Sequence, residues 1–298
     1  MYEEKILTTS SDPQKAIITG LVNITNKYNI KFASNDLIDV VHGTTLFTNS
    51  LISRTEKSPA LFVTKGASDI IYTGKGNRYD PYDRLLLKPK VLVAKSLRFE
   101  IDERILIDGK IYKNIKKSQV NALVNKLTAL KIKSVAVVLL HSYKNDNHEK
   151  LIKTLIRKRN KSIHISLSSE ICPEIGEYDR LNTTCSNAYI QPIAENYLNK
   201  LNSEIKKLNI NSEIQLIWSD GGIASLKDSI ANPIRLLESG PAGGALAISH
   251  LSKINKNGNA IAFDMGGTTA KISLLKNSMP FKSSSFEFGR INGNKPGS

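Results

Sequence analysis

The apolar positions of this 298-residue chain switch repeatedly between the 3.6-residue spacing of amphipathic helices and the short continuous runs of buried strands. EKILTTS, near the start, predicts a strand. The next segment predicts a helix with Asp12 as N-cap, Pro13 at its first position and Ile17, Leu21 and Ile24 on one face. DLIDVVHG predicts a short buried strand, GTTLFTNSLISR opens a helix, and ALFVTKG predicts another strand before a polar loop rich in Gly and Tyr. Two short extended pieces are expected around Val91 and Ile105. Val120, Leu123, Val124, Leu127 and Leu130 then mark an amphipathic helix. SVAVVLL is apolar throughout and predicts a strand covered on both faces. A basic helix from about Asp146, the strand IHISLS and a long helix through SNAYIQPIAENYLNKLNSEIKKL follow. The strand EIQLIWSDGG leads into a small-residue helix within ESGPAGGALAISHLSKINKNGN, and the pattern ends in a hairpin, AIAFDMGGTTAKISLL. Strands and helices alternating in this way predict an α/β architecture.

The last hairpin carries the first chemistry. An apolar strand ends at Asp264, Gly266 and Gly267 allow a tight turn, and Thr268 and Thr269 add hydroxyl donors. Adjacent glycines let backbone N–H groups approach an anion closely. A carboxylate at a strand end suits Mg²⁺ held through its water shell. The alternative is an ordinary hairpin in which Gly-Gly serves only the turn.

Gly43, Thr44 and Thr45 fall between a strand and a helix start, where free N–H groups favour an anion and where a threonine can equally be a plain N-cap. His42, at that strand's end, is either a proton carrier or a hydrogen-bonded core residue. Asp220 in IWSDGGIAS repeats the theme of a strand followed by Gly-Gly. His42, Asp220 and Asp264 are all expected at carboxyl ends of strands, where open α/β sheets bind ligands. Arg78, in GNRYDPYDRLL, offers a planar fork for a carboxylate or belongs to a solvated loop.

Composition narrows the class. The net charge is +15, but the excess lysine is scattered among Ile and Asn, which reads as solvated faces and gives no expectation of a nucleic-acid partner. No apolar run approaches the roughly 18 residues of a membrane span. Cys172 and Cys185 fit neither a disulfide framework nor a zinc knuckle, and the five histidines lack metal-ligand spacing. The start, MYEEKILTTS, has no signal-peptide pattern, so a cytoplasmic location is expected.

Six ordered blocks carry a resemblance: VVHGTTLFTNSLISR, LFVTKGASDIIYTGKGNRYDPYD, SVAVVLLHSYKNDNHE, SSEICPEIGEYDRLNTTCSNAYIQP, WSDGGIASLKDSIANPIRLLESGPAGGALAI and FDMGGTTAKISLL. Together they resemble the hydantoinase A/5-oxoprolinase family, which includes N-methylhydantoinase and the acetone carboxylase β subunit. The resemblance implies lobes like those of the actin, sugar-kinase and heat-shock-chaperone ATPases, which are ribonuclease H-like. It divides the chain into an N-terminal type domain, 1–180, lacking its first phosphate hairpin, and the start of a second domain, 181–298, with the crossover helix and second hairpin. The expectation is therefore a slice of a longer enzyme, inactive alone.

The resemblance further implies ATP and Mg²⁺ as cofactors, a cyclic amide such as hydantoin or 5-oxoproline as substrate, phosphorylation of its carbonyl oxygen, and a hydantoinase B-type subunit as partner. Asp264, Gly266, Gly267, Thr268 and Thr269 would hold phosphate and magnesium, joined by Lys271, which stands where some relatives carry Asp. His42, Gly43, Thr44, Thr45 and Asn49 match the family's H-G-T-T-x-x-T-N block and, with Arg78, would line the cleft. His42 and Asp220 are the candidates for catalysis. The alternatives are a ketone carboxylase subunit, a nucleotide switch and a non-catalytic remnant.

Overall fold

The structure is a computed structural model that describes the chain except residues 1, 8, 10–11, 31–38, 77–81, 83–89, 211, 266–269 and 284–298. The first elements are α1 (Pro13–Lys27), β1 (Val40–His42), α2 (Leu46–Ser53), β2 (Ala60–Thr64), α3 (Ile70–Thr73), β3 (Arg98–Ile101), β4 (Arg104–Ile105) and β5 (Ile111–Lys113). Next are α4 (Lys117–Ala129), β6 (Ser134–Val138), α5 (Asn147–Arg159), β7 (His164–Leu167), α6 (Ser168–Ile171) and α7 (Glu177–Lys207). The last are β8 (Ile214–Ile217), β9 (Ile223–Ala224), α8 (Leu226–Ala231), α9 (Ser239–Ile254), β10 (Ala260–Met265), β11 (Ala270–Lys276) and β12 (Met279–Pro280). The mixed α/β class agrees with the periodicity.

Two compact units interleave along the sequence. One comprises 1–44, 193–230 and 238–280; the other comprises 45–192, 231–237 and 281–298. The second is built on a parallel sheet of order β3-β2-β6-β7. Every residue of β2 and β6 is buried, as their unbroken apolar runs require of strands covered on both faces. Phe62, Val135 and Val137 pack with Val120, Val124 and Leu127 of α4 and Ile152 and Ile156 of α5 in one core. The helical spacing of these last five residues is what turns them toward the sheet.

Two buried charged side chains of this unit find most of their partners locally. The Glu149 carboxylate accepts the Leu139 N–H at 3.0 Å, the Ser168 hydroxyl at 2.7 Å, and the Ser169 N–H and hydroxyl at 2.9 and 2.7 Å. It thereby stitches α5 to the ends of β6 and β7. Burial, the largest influence, pushes its pKa up, and these four donors oppose that. Arg180, buried at the start of α7, donates to the carbonyls of Leu139 and Glu174 at 3.0 and 3.1 Å.

The first unit holds two three-stranded sheets, β1-β8-β9 and β10-β11-β12. β1 runs parallel to β8, with His42 opposite Leu216. β10 and β11 form the antiparallel hairpin read from the sequence, with Asp264 opposite Lys271. α9 packs against β8 and all three strands of the second sheet.

Several local expectations are corrected. EKILTTS forms no strand at its described positions, because no strand among the described residues supplies the ladder that an extended segment needs. β1 is only half-buried, with Val41 exposed, because β8 is its sole strand neighbour among the described residues. The piece around Val91 is a bend, and the strand lies later, at β3, where it can pair with β2. α7 begins at Glu177, well before the segment expected.

Phe62 sits at the centre of the larger core, fully buried, with its ring edge-on to Phe99 at 5.9 Å. Phe62→Ala is expected to lower unfolding free energy by about 3–5 kcal/mol, read from urea or guanidinium denaturation with an unchanged slope.

Candidate functional site

In the first unit, β1 delivers His42 and the loop Gly43–Thr44. α9 delivers its N-terminal residues, and the β10–β11 hairpin delivers Asp264 and Lys271. These pieces are joined by named bonds. Ser239 Oγ, fully buried, accepts the Thr44 N–H and donates to the Thr44 carbonyl, both at 3.1 Å. Glu238, the N-cap of α9, pairs through Oε2 with the Lys271 ammonium, both side chains largely buried. Lys271 in turn stands across the ladder from Asp264 on the same sheet face. A continuous path therefore runs from β1 through the α9 N-terminus to the hairpin.

Glu238 adopts the left-handed conformation, φ 60° and ψ 20°. That costs a non-glycine residue roughly 1–2 kcal/mol. Its Oε1 is buried and has no hydrogen-bond partner among the described residues.

His42 Nε2 lies 3.0 Å from the hydroxyl of Tyr197 on α7. Burial lowers the imidazole pKa to about 4 and raises the phenol to about 12, partly offset there by a hydrogen bond from the Thr44 side chain. Both groups are neutral at pH 7. With Thr44 bonded to the phenol oxygen, the Tyr197 O–H is directed at Nε2, which leaves the imidazole proton on Nδ1. A base of pKa about 4 has little driving force to take a proton near neutrality. The ring is better suited to positioning the loop and donating from Nδ1.

The other expected residues fall as follows. Gly43 leaves room: a side-chain carbon there would stand 3.9 Å from Ile217 and Ser239, ordinary contact distances. Asp220 lies beyond the end of β8, exposed in the tight turn to β9, and its carboxylate accepts the Gly222 N–H at 2.8 Å. Gly221 in that turn has φ +86°, and a Cβ would come within 2.9 Å of Leu246. The glycine is thus a backbone requirement. Thr45, the N-cap of α2, makes no side-chain capping bond, and Asn49 is exposed on that helix; both belong to the second unit. Arg78, Gly266, Gly267, Thr268 and Thr269 lie outside the described residues.

Sequence reading missed Glu238, Ser239 and Tyr197 as site residues. Glu238 and Ser239 had a readable signal, since they open the Ser-Gly-Pro helix start. Tyr197 had none, being one aromatic among many in a long helix.

For magnesium, the residues offer Asp264 as an exposed carboxylate and the orphaned Glu238 oxygen nearby in the path. One or two carboxylates with water and phosphate completing the shell is a set that Mg²⁺ accepts. Among the described residues there is no cluster of three His, Cys, Asp or Glu side chains suited to a transition metal. No helix among them is long and apolar enough to cross a membrane. A polar cavity of about 400 Å³ in the second unit, lined by residues such as Ser142, Lys144 and Ser169, includes none of the expected site residues.

The structure shows a mixed α/β chain whose last hairpin is tied through Lys271 to Glu238 at a helix N-terminus. Comparison places it more closely. The chain matches the hydantoinase/oxoprolinase N-terminal region over residues 1–160 and the hydantoinase/oxoprolinase model over residues 180–291, and it belongs to the hydantoinase/oxoprolinase family. An uncharacterised protein of Methanocaldococcus jannaschii is 34% identical over 288 residues, 96% of this chain and 42% of that one. The 5-oxoprolinase of Saccharomyces cerevisiae is 32% identical over 78% of this chain and 20% of its own. The caprolactamase subunit alpha of Pseudomonas jessenii is 27% identical over 91% of this chain and 40% of its own. The crystal structure of the ATP-dependent caprolactamase from that organism superposes with a TM-score of 0.80 at 26% identity. The chain thus spans well under half the length of these relatives.

The His42 environment carries a pH signature. The unfolded chain binds the imidazole proton near pH 6.5 and the folded chain only near pH 4, so stability is complete above about 6.5 and falls as pH drops toward 4. The loss should reach about 3 kcal/mol at most, and His42→Phe should remove this part of the pH dependence in denaturation curves run from pH 7.5 to 4.

Proposed function

We propose that this chain is part of an ATP-dependent hydrolase subunit that opens a cyclic amide, of the hydantoin or 5-oxoproline kind, after phosphorylation of its carbonyl oxygen. The observation that carries the reading is the path from Thr44 through Ser239 and Glu238 to Lys271 and Asp264, which sets a cation, a carboxylate and a helix N-terminus at one glycine-rich hairpin. The family and the ATP-dependent caprolactamase relative support it.

In this reading the two halves, 1–180 and 181–298, are lobes of the actin, sugar-kinase and heat-shock-chaperone ATPase kind, and the hairpin is a phosphate loop. Mg-ATP, when bound, would supply the phosphoryl group that makes the amide carbon electrophilic, so that water adds there and the ring C–N bond breaks. Asp264 orients the metal's water shell. Lys271, held by Glu238, places a positive charge where the phosphate's negative charge develops, and the N–H groups opening α9 add their dipoles. Because Glu238 fixes the ammonium before the ligand arrives, little reorganisation remains at the moment of reaction. The Thr44–Tyr197–His42 relay holds the β1 loop on which a small cyclic amide would rest. A second, B-type subunit completes the assembly, in keeping with the caprolactamase relative being one subunit of its enzyme. The site of action is the cytoplasm.

Calorimetric titration of the chain with Mg-AMP-PNP should show binding that Asp264→Asn and Lys271→Met each weaken by roughly tenfold or more. In the assembled enzyme the same changes should lower amide-stimulated ATP turnover by about 10²–10³. Nucleotide affinity indifferent to both substitutions would place the phosphates elsewhere. Turnover unmoved by hydantoin, 5-oxoproline or caprolactam would refute the substrate class.

A further inference from the structure

The surplus positive charge is not spread evenly over the chain. Residues 109–169 hold fourteen Lys and Arg against two Asp and Glu, which is +12 of the net +15 in about a fifth of the length. Both acids are engaged, Glu149 by its buried N–H and hydroxyl donors and Asp146 by Lys150 at 2.7 Å. Cations that lie apart in the sequence are gathered where α4 and α5 end side by side. There the Asn160 side-chain amide donates to Thr128 Oγ1 at 3.2 Å, Arg159 Nε to Asn121 Oδ1 at 2.8 Å, and the His164 N–H to the Lys133 carbonyl at 2.9 Å. These bonds set Lys126, Lys131 and Lys133 beside Arg157, Lys158, Arg159 and Lys161, all seven exposed and none ion-paired among the described residues. A helix C-terminus carries about half an elementary negative charge, so two such ends are balanced by about one cation. The remaining charges repel one another. Leu130, in the turn that carries Lys131, is 47% exposed among them.

We infer that this surface docks a protein whose contacting face is rich in Asp and Glu around an apolar side chain. Charge complementarity selects an anionic partner, and the local chemistry selects among anions. Helix C-termini present carbonyl oxygens rather than N–H groups, so they do not cradle a lone phosphate. Segments 126–133 and 157–163 contain no aromatic residue on which the bases of a single nucleic-acid strand would stack. A duplex backbone would neutralise the cations but gain nothing from Leu130, and one leucine is too small an apolar face to anchor in lipid. An acidic polypeptide uses both features, with carboxylates as a polar rim and an apolar contact at its centre. The surface belongs to the unit that holds none of His42, Asp264 and Lys271, so the inference does not rest on the proposed function.

The test measures, by fluorescence anisotropy, binding of the 298-residue chain to a labelled peptide of three LEELEEE repeats. Affinity should fall by about tenfold between low and physiological salt. Lys131→Glu, Lys133→Glu, Lys158→Glu and Lys161→Glu combined should abolish binding. The same reversal at the exposed Lys27, Lys253, Lys256 and Lys276 removes as much net charge and should change affinity by less than about twofold, because screening confines the effect to nearby charges. Leu130→Ser should weaken the peptide by roughly fivefold and leave a short DNA duplex unaffected. Reversal within the cluster relieves repulsion, so that variant should melt, by circular dichroism, at or above the temperature of the parent chain. Absence of peptide binding would overturn the inference, and equal loss from the two fourfold variants would reduce it to net charge and overturn it as well. So would tighter binding of the duplex or of phosphatidylserine vesicles than of the peptide, which would assign the cluster to nucleic acid or to a membrane.

Discussion

A single hydroxyl, Ser239 Oγ, sets the geometry on which the candidate site depends. By accepting the N–H of Thr44 and donating to the same residue's carbonyl, it clamps a loop distant in sequence to the first turn of α9. Each bond alone is worth about 1 kcal/mol. Their combined value is positional: two bonds to one peptide fix its orientation as well as its distance. Glu238 and Lys271 then inherit that placement, because one is the residue before Ser239 and the other is its ion-pair partner.

The fold was legible wherever a segment's own pattern decided its fate. The continuous run of β6, the 3.6-residue spacing of Val120, Val124 and Leu127, and the alternation in β10 and β11 each give the element found, because burial of those residues admits only one local geometry. Legibility failed where pairing decides. The first residues have strand composition but no ladder among the described residues, and β3 is a strand because β2 lies beside it, which its own short pattern does not announce.

The site was legible as a set of ends and turns rather than as a set of contacts. Asp264 and Lys271 were readable from the hairpin letters, and the structure adds their cross-strand pairing. Asp220 shows the opposite case: its place before Gly-Gly suggested chemistry, and the carboxylate is engaged in shaping the turn that Gly221 makes possible. The Tyr197 contact to His42 joins residues 155 positions apart, and no local pattern encodes such a meeting.

Glu238 holds a left-handed backbone that glycine would occupy without cost, and one of its carboxylate oxygens is buried with no hydrogen-bond partner among the described residues. Glycine there would relieve the backbone cost, but it would also leave the largely buried Lys271 ammonium without its carboxylate, and an unpaired buried charge costs more than one left-handed residue. Position 238 is therefore held by the charge it neutralises rather than by its own backbone, and the glycine that local conformation alone would favour would loosen the contact between α9 and the hairpin.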